Sequence, residues 1–138
     1  MSQESYELAC EMFAAAARAI NLGSLDELNA LLDPEVEWIP INAALEGTRY
    51  CGHDGVRRWI EDMKRDWDFF EARPEDFRDL GDDRLLVLGT WMARGRSSGV
   101  ALDAQPAAWL LELRGGKALR MQTFTDRDKA FKAAGLSE

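Results

Sequence analysis

Near residue 70 the spacing of apolar residues changes from every third or fourth position to every second. It stays that way until about residue 125. Before the change, Tyr6, Cys10, Phe13, Ala17 and Ile20 recur at helical spacing over 5–22. Val56, Trp59, Ile60, Met63 and Trp67 do so over about 53–67, each set giving one buried helix face. After it, four segments (about 70–80, 84–96, 99–114 and 117–125) read as strands. They are broken at Gly81-Asp82-Asp83, Gly95 to Gly99 and Gly115-Gly116, all turn chemistry. Breaks this short require antiparallel hairpins, because parallel neighbours need long crossovers. Helices followed by an antiparallel meander define an α+β fold, with the helices on one face of the sheet.

The remaining segments complete this plan. Gly23 ends the first helix, and Ser24 with Glu27 reads as a capping box for a short second helix carrying Leu25, Leu28, Leu31 and Leu32. Asp33-Pro34 stops that helix. Val36 to Pro40 predicts a short strand with Val36 and Trp38 on one face, the proline marking an edge or a strand end. Residues 41–52 show no period and read as a loop, a candidate pocket rim. Asp126 is placed to cap a last helix carrying Ala130, Phe131 and Ala134, with Gly135 as its stop. With no repeat, linker or low-complexity stretch, residues 1–138 read as one domain.

Composition removes several function classes. The formal net charge of −8 repels nucleic-acid backbones and anionic membranes, and no basic cluster offsets it. No apolar run approaches the ~20 residues of a membrane helix. The acidic start Met1 to Ser5 lacks the basic and unbroken apolar parts of a secretory leader. Cys10 and Cys51 are spaced neither as a metal knuckle nor as a redox pair, so reduced thiols and a cytoplasmic location are expected. One histidine and no spaced carboxylate set leave no metal expected. With no glycine-rich phosphate loop or nucleophile elbow either, the reading includes no cofactor.

The strand at 84–96 carries Leu85, Val87 and Trp91 on one face and Leu86, Leu88 and Met92 on the other. The next strand carries Trp109, Leu111 and Leu113 opposite Val100, Leu102 and Leu110. A sheet covered on one side only would show a polar outer face. The second apolar face therefore needs a cover that this chain does not supply, read here as a second subunit and a homodimer through the outer sheet face. The chain holds five tryptophans, and Trp38, Trp59 and Trp109 all fall on inward stripes. Flat rings on a curved sheet leave space more readily than Leu and Val do, so these three predict an apolar pocket. Tyr50, Met63, Gln105, Met121 and Thr123 are expected in the rest of its wall.

Along its whole length the chain resembles the nuclear-transport-factor-2-like superfamily, and within it the SnoaL-like, or polyketide-cyclase-like, branch. The resemblance rests on Asn21 to Asp26, Leu31 to Trp38, Gly52 to Arg57 and Asp79 to Asp82. It also rests on Gly116-Lys117 through Phe124-Thr125-Asp126-Arg127, with Ala130 and Ala134-Gly135-Leu136. It implies a cone-shaped, cystatin-like α+β barrel in which N-terminal helices pack into a strongly bent, mostly antiparallel sheet around a cavity open at one end. A dimer through the outer face is implied as well. Members include isomerases, cyclases, epoxide hydrolases, dehydratases and non-enzymatic binding subunits, and a fold hosting so many chemistries warrants no single one.

Relatives that isomerise ketosteroids use a carboxylate base together with a tyrosine and a protonated aspartate as an oxyanion hole. By the resemblance, the base position falls at Trp38, the tyrosine at Ala16 and the acid at or beside Trp109. None of these can fill those roles, since indole donates one hydrogen bond and takes up no proton. Asp103 and His53 remain as acid–base candidates. Asp103 shares Trp109's face by period-2 counting, and His53 is the only side chain whose ordinary pKa lies near neutrality. Arg94, Asp103 and Asp126 supply the residue types of an epoxide-hydrolase site. Two main function classes stay open: a protein that binds a small apolar molecule, and a cofactor-free acid–base enzyme (isomerase, cyclase or hydratase/hydrolase) acting on a small apolar, cyclic substrate. An interaction module serving a protein partner is a third.

Overall fold

The computed structural model describes residues 3–136; Met1 and Ser2, part of the start considered above, lie outside them. The chain runs α1 (Gln3–Leu22), α2 (Asp26–Leu31), β1 (Leu32–Ile39), α3 (Ile41–Glu46), β2 (Tyr50–Cys51), α4 (Gly52–Asp66), β3 (Trp67–Gly81), β4 (Arg84–Gly95), β5 (Ala101–Arg114), β6 (Lys117–Phe124) and α5 (Arg127–Ala133). The architecture is α+β, with the six strands in one curled, unclosed sheet ordered β2-β1-β6-β5-β4-β3. β3 to β6 form the expected antiparallel meander. β1 joins it in parallel, pairing Trp38 with Met121, and is therefore interior to the sheet, while Pro40 follows its end. The segment 41–52, read as a loop, instead holds α3 and the two-residue strand β2, whose Tyr50 pairs with Trp38.

The concave face of the sheet closes on α1 and α4. Leu85, Val87, Ala107, Trp109 and Leu111 from the sheet meet Met12, Phe13, Val56, Trp59, Ile60 and Met63 in one buried cluster. The buried face of α1 is Leu8, Ala9, Met12, Phe13, Ala15, Ala19 and Ile20. Tyr6, Cys10 and Ala17 flank it, so the stripe counted from the sequence is rotated about the helix. Tyr6 is 39% exposed and lies edge-on to Phe77. The expected Ser24 capping box does not form: α2 begins after Leu25 with no side-chain cap, and Glu27 pairs with Arg18 of α1. Asp126 does cap α5, its carboxylate accepting from the Asp128 N–H at 2.9 Å.

The convex face is covered from within the chain. Leu86, Leu88, Ala108 and Leu110 pack against Ala130 and Phe131 of α5 and Ala134 just after it, and the Arg78 guanidinium lies over the Phe131 ring. Helices therefore flank both faces. The second apolar face, taken from the sequence to require another subunit, is covered over its middle by the C-terminal helix. Val100 is not part of that cluster and stays exposed.

Strong curvature shows in the strand register. The β3–β4 pairing slips between Pro74 and Asp76, opposite Gly89, as a bulge would make it. A Cβ placed on Gly89 would lie 2.1 Å from the Arg73 carbonyl oxygen and 3.0 Å from Pro74 Cα. Only glycine lets the two backbones approach so closely. At the open edge of β3, Asn21 from the end of α1 clamps the Phe70 backbone, its amide donating to the carbonyl (2.9 Å) and its oxygen accepting from the N–H (3.2 Å).

One ion pair ties β1 to β5. Arg114 donates to both oxygens of Asp33 (2.9 and 3.1 Å) and to Glu35 (2.9 Å). These bonds, first the Arg114 guanidinium and then the Glu35 N–H, hold the Asp33 carboxyl below its ordinary value of 3.8. A depressed folded-state value stabilises the fold above the unfolded-state value, and that contribution is lost as pH falls through the folded value. Asp33→Asn is expected to lower the melting temperature at pH 7, with the gap to the unmodified chain narrowing below about pH 3.8; a gap that is independent of pH counts against this role. Gly89→Ala is expected to cost about 1–3 kcal/mol or more by overpacking, read as a lower urea midpoint.

Candidate ligand site

The cavity lies between the concave face of the sheet and the helices. α1 contributes Met12, Phe13 and Ala16; β1 Trp38; Pro40, which follows β1, and Ile41 at the start of α3 come next; α4 adds Trp59. The far side is Phe70 and Ala72 of β3, Trp91 of β4, Trp109 of β5, and Met121 and Thr123 of β6. Each strand residue is there because period-2 alternation turns it inward. Six aromatic rings form three pairs around the space. Phe13 meets Trp109 edge-on (centroids 4.9 Å apart), Trp38 and Trp59 are tilted (5.3 Å), and Phe70 stacks on Trp91 (5.9 Å). The recess they enclose measures about 440 Å³, including space open to solvent.

The wall contains no titratable side chain. The polar side-chain groups of the residues that line it are the four indole N–H groups and the Thr123 hydroxyl, which donates to the Met121 sulfur at 3.4 Å, a weak acceptor. The N–H groups of Trp38, Trp59 and Trp91 are buried with no hydrogen-bond partner among the described residues. Leaving such a donor unmade costs about 1–3 kcal/mol each, and a core selected for stability alone removes such groups.

Of the residues expected in the wall, Trp38, Trp59, Trp109, Met121 and Thr123 line it, and Tyr50, Met63 and Gln105 do not. Met63 is buried one helical turn along α4 from Trp59. Tyr50 is taken up by the rim: its hydroxyl accepts from the Asn42 amide (3.2 Å) and donates to Asp62 of α4 (2.7 Å). Burial first, and then the bond to the Asp62 carboxylate, raise its pKa above 10.0. Gln105 pairs with Trp91 across the strands, and its amide donates to the Asp103 carbonyl at 2.9 Å.

The acid–base candidates lie outside the cavity. The β4–β5 pairing passes from Trp91–Gln105 to Ala93–Leu102, so β5 holds an extra residue there, and Ala104 has a φ of 49°. This bulge breaks the alternation that placed Asp103 beside Trp109, and Asp103 is exposed. His53 sits in the first turn of α4 with Nε2 2.9 Å from the Leu32 carbonyl oxygen; that nitrogen carries the proton, since a carbonyl only accepts. Arg94, Asp103 and Asp126 do not meet at the cavity: Arg94 faces Asp68 at 4.0 Å and Asp126 caps α5. By contrast Ala16, Trp38 and Trp109, the three positions matched to the catalytic groups of ketosteroid-isomerising relatives, all line the one cavity.

Met12, Phe13, Phe70 and Trp91 were missing from the sequence-derived wall. Trp91 carried a usable signal, sharing the inward face of its strand with Leu85 and Val87; Phe70 lay at the boundary where the period changes.

Helices packed in a curled sheet around an apolar cavity define the cone-shaped α+β class of the nuclear-transport-factor-2-like folds. Within it, residues 13–121 match the SnoaL-like domain family, and the chain belongs to that family. Among curated proteins none matches the sequence. Similar solved structures include TerC co-crystallised with polyporic acid, 20% identical, with 96% of this chain and 99% of that one covered at a TM-score of 0.73. A protein of unknown function from Burkholderia pseudomallei K96243 is 21% identical over 96% and 97% (TM-score 0.73). A Catenulispora acidiphila DSM 44928 protein with a ketosteroid-isomerase-like fold, in complex with trimethylamine, is 17% identical over 92% and 94% (TM-score 0.69). At these identities the likeness is one of fold.

Tyr50→Phe removes the bonds from the rim to Asp62 and Asn42 and leaves the cavity wall untouched. The expected result is a loss of about 1 kcal/mol in unfolding free energy with unchanged ligand retention, checked by chemical denaturation beside native mass spectrometry. A selective loss of ligand would instead place Tyr50 in the site.

Proposed function

We propose that this chain is a small-molecule-binding protein whose ligand, small and largely apolar, occupies the tryptophan-lined cavity. The observation that carries this reading is the composition of the wall: three aromatic pairs, one hydroxyl and no titratable group. General acid–base chemistry needs a proton donor or acceptor within hydrogen-bond reach of the substrate. A cofactor-free isomerase, cyclase or hydratase working through Asp103 or His53 would have to bring one of them in from outside, so binding is the better-supported reading. The small molecules held by TerC and by the Catenulispora protein agree with it at the level of the fold.

Assembly as a homodimer through the outer sheet face belongs to the same proposal. With the middle of that face under α5, the available part is the groove bordered by Ile39, Leu45, Arg120, Gln122 and Phe124, Leu45 being 72% exposed. Light scattering is expected to give about twice the chain mass of 15.5 kDa; the chain mass itself at micromolar concentration contradicts a dimer. Two free thiols, Cys51 exposed, agree with a reducing, cytoplasmic setting. Among the described residues no helix is long and apolar enough to cross a membrane.

Native mass spectrometry tests the binding reading. The purified protein is expected to carry a small molecule that is released on denaturation. Ala72→Leu, which puts three more carbons into the wall, is expected to abolish retention with at most about 1–3 kcal/mol of destabilisation. A bare mass, with no uptake from a panel of small aromatic compounds, overturns it.

A further inference from the structure

One side of the cavity mouth rests on a short element. Of the wall residues, Ala16, Ile41, Phe70, Ala72 and Trp91 are partly exposed and the rest are buried, so the opening lies among these five. Four of them stand on long elements: α1 has 20 residues, β3 has 15 and β4 has 12. Asn21 at the end of α1 clamps the Phe70 backbone, and the Phe70 ring stacks on Trp91, so these banks are tied to one another. Ile41 stands on α3, which has six residues, too few for a helix that is stable by itself. Its buried side chain is Ala43, while Leu45 is exposed. Non-helical backbone bounds α3 on both sides, extended at Pro40 (ψ 177°) and left-handed at Gly47 (φ 73°). Such element-terminal positions are where a hinge motion is absorbed.

Among the described residues, one side-chain hydrogen bond ties α3 to its surroundings. The Asn42 amide nitrogen donates to the Tyr50 hydroxyl (3.2 Å), whose own proton goes to Asp62 of α4 (2.7 Å). Tyr50 belongs to β2 and pairs with Trp38, so the acceptor stands on the frame rather than on α3. The same amide also loads the closed position. Asn42 Oδ1 is buried with no hydrogen-bond partner among the described residues, a cost that contact with water would remove. One bond that favours closure is thus set against one unmade acceptor that favours opening. We propose that α3 is a gate to the cavity, swinging about Pro40 and Gly47 to carry Ile41 out of the wall, and held shut by the Asn42–Tyr50 bond. This rests on the binding reading above and adds how the ligand enters and leaves.

The test follows uptake and release of ethylbenzene by stopped-flow tryptophan fluorescence, and the opening of α3 by hydrogen exchange at the amides of residues 44–48. Tyr50→Phe keeps the ring and removes the acceptor, which leaves both ends of the Asn42 amide unmade in the closed position. Weakening the latch of a gate that stays mostly closed raises the open population in the free and bound protein alike. Uptake and release are therefore each expected to quicken about fivefold, equivalent to about 1 kcal/mol, with affinity and equilibrium retention unchanged. Exchange at 44–48 is expected to quicken by the same factor, while the amides of Trp59 to Met63 in α4 keep their rates. Asp62→Ala frees Tyr50 from α4 but leaves it to accept from Asn42, and is expected to leave uptake and release within about twofold. Unchanged rates in Tyr50→Phe, a change in affinity in place of one in rate, or Asp62→Ala acting as strongly as Tyr50→Phe overturns the gate and leaves the binding reading standing. Unchanged exchange at 44–48 overturns the gate even if ethylbenzene does not bind. If ethylbenzene is not taken up and the purified protein is bare, the binding reading itself fails, and the gate with it.

Discussion

The close approach of β3 to β4 at Gly89 is the constraint on which the rest of the structure depends. With no Cβ at that position, the Arg73 carbonyl comes within van der Waals reach of the Gly89 backbone, and the extra residue in β3 beside it lets the sheet turn. A flat sheet would lay its inner residues evenly on α1 and α4. A curled one brings Phe70, Ala72 and Trp91 on one limb toward Trp38 and Met121 on the other, with α1 and Trp59 between. The space left is bounded by rings too rigid to fill it. The same curl gives the sheet a convex back that α5 closes with Ala130, Phe131 and Ala134.

Two features of the cavity run against what a core built only for stability would contain. It is open where close packing is the norm, and it buries three indole donors with nothing to accept from them. The open space is a penalty in the free chain that a bound molecule can relieve, and ligand binding to the folded state alone raises its stability. The ion pairs and rim contacts lie elsewhere: Arg114 with Asp33 and Glu35, Tyr50 with Asp62, Asn21 on the Phe70 backbone. These hold the frame rigid, so that the cavity need not contribute to it.

Much of the fold was legible because burial imposes period. The switch near residue 70 located the meander, and the two apolar faces of β4 and β5 were visible as alternating sets. Trp38, Trp59 and Trp109 were placed on inward stripes for the same reason. What escaped was whatever interrupts a period or depends on a distant partner. The extra residue at Asp103–Ala104 changes the parity of β5, and no local signal announces it, since Ala104 is an ordinary residue at positive φ. That alone displaced Asp103 from the site. The sequence showed that the outer face needed cover but not that seven residues of α5 would supply it. Ser24 and Glu27 had the spacing of a capping box, yet Arg18 draws Glu27 onto α1 and the helix starts without it. Met12 fell outside the stripe counted for α1, on which Phe13 lay, because a helix enclosed by a curled sheet buries more than one row of side chains.

The central claim is that the tryptophan rings keep an open, apolar cavity between the concave face of the sheet and the helices. A crystal structure of the protein as purified, at a resolution that places ordered small molecules, tests it most directly. The account predicts density that is not protein between Trp38, Trp59, Trp91 and Trp109. Side chains repacked to close the space would contradict it.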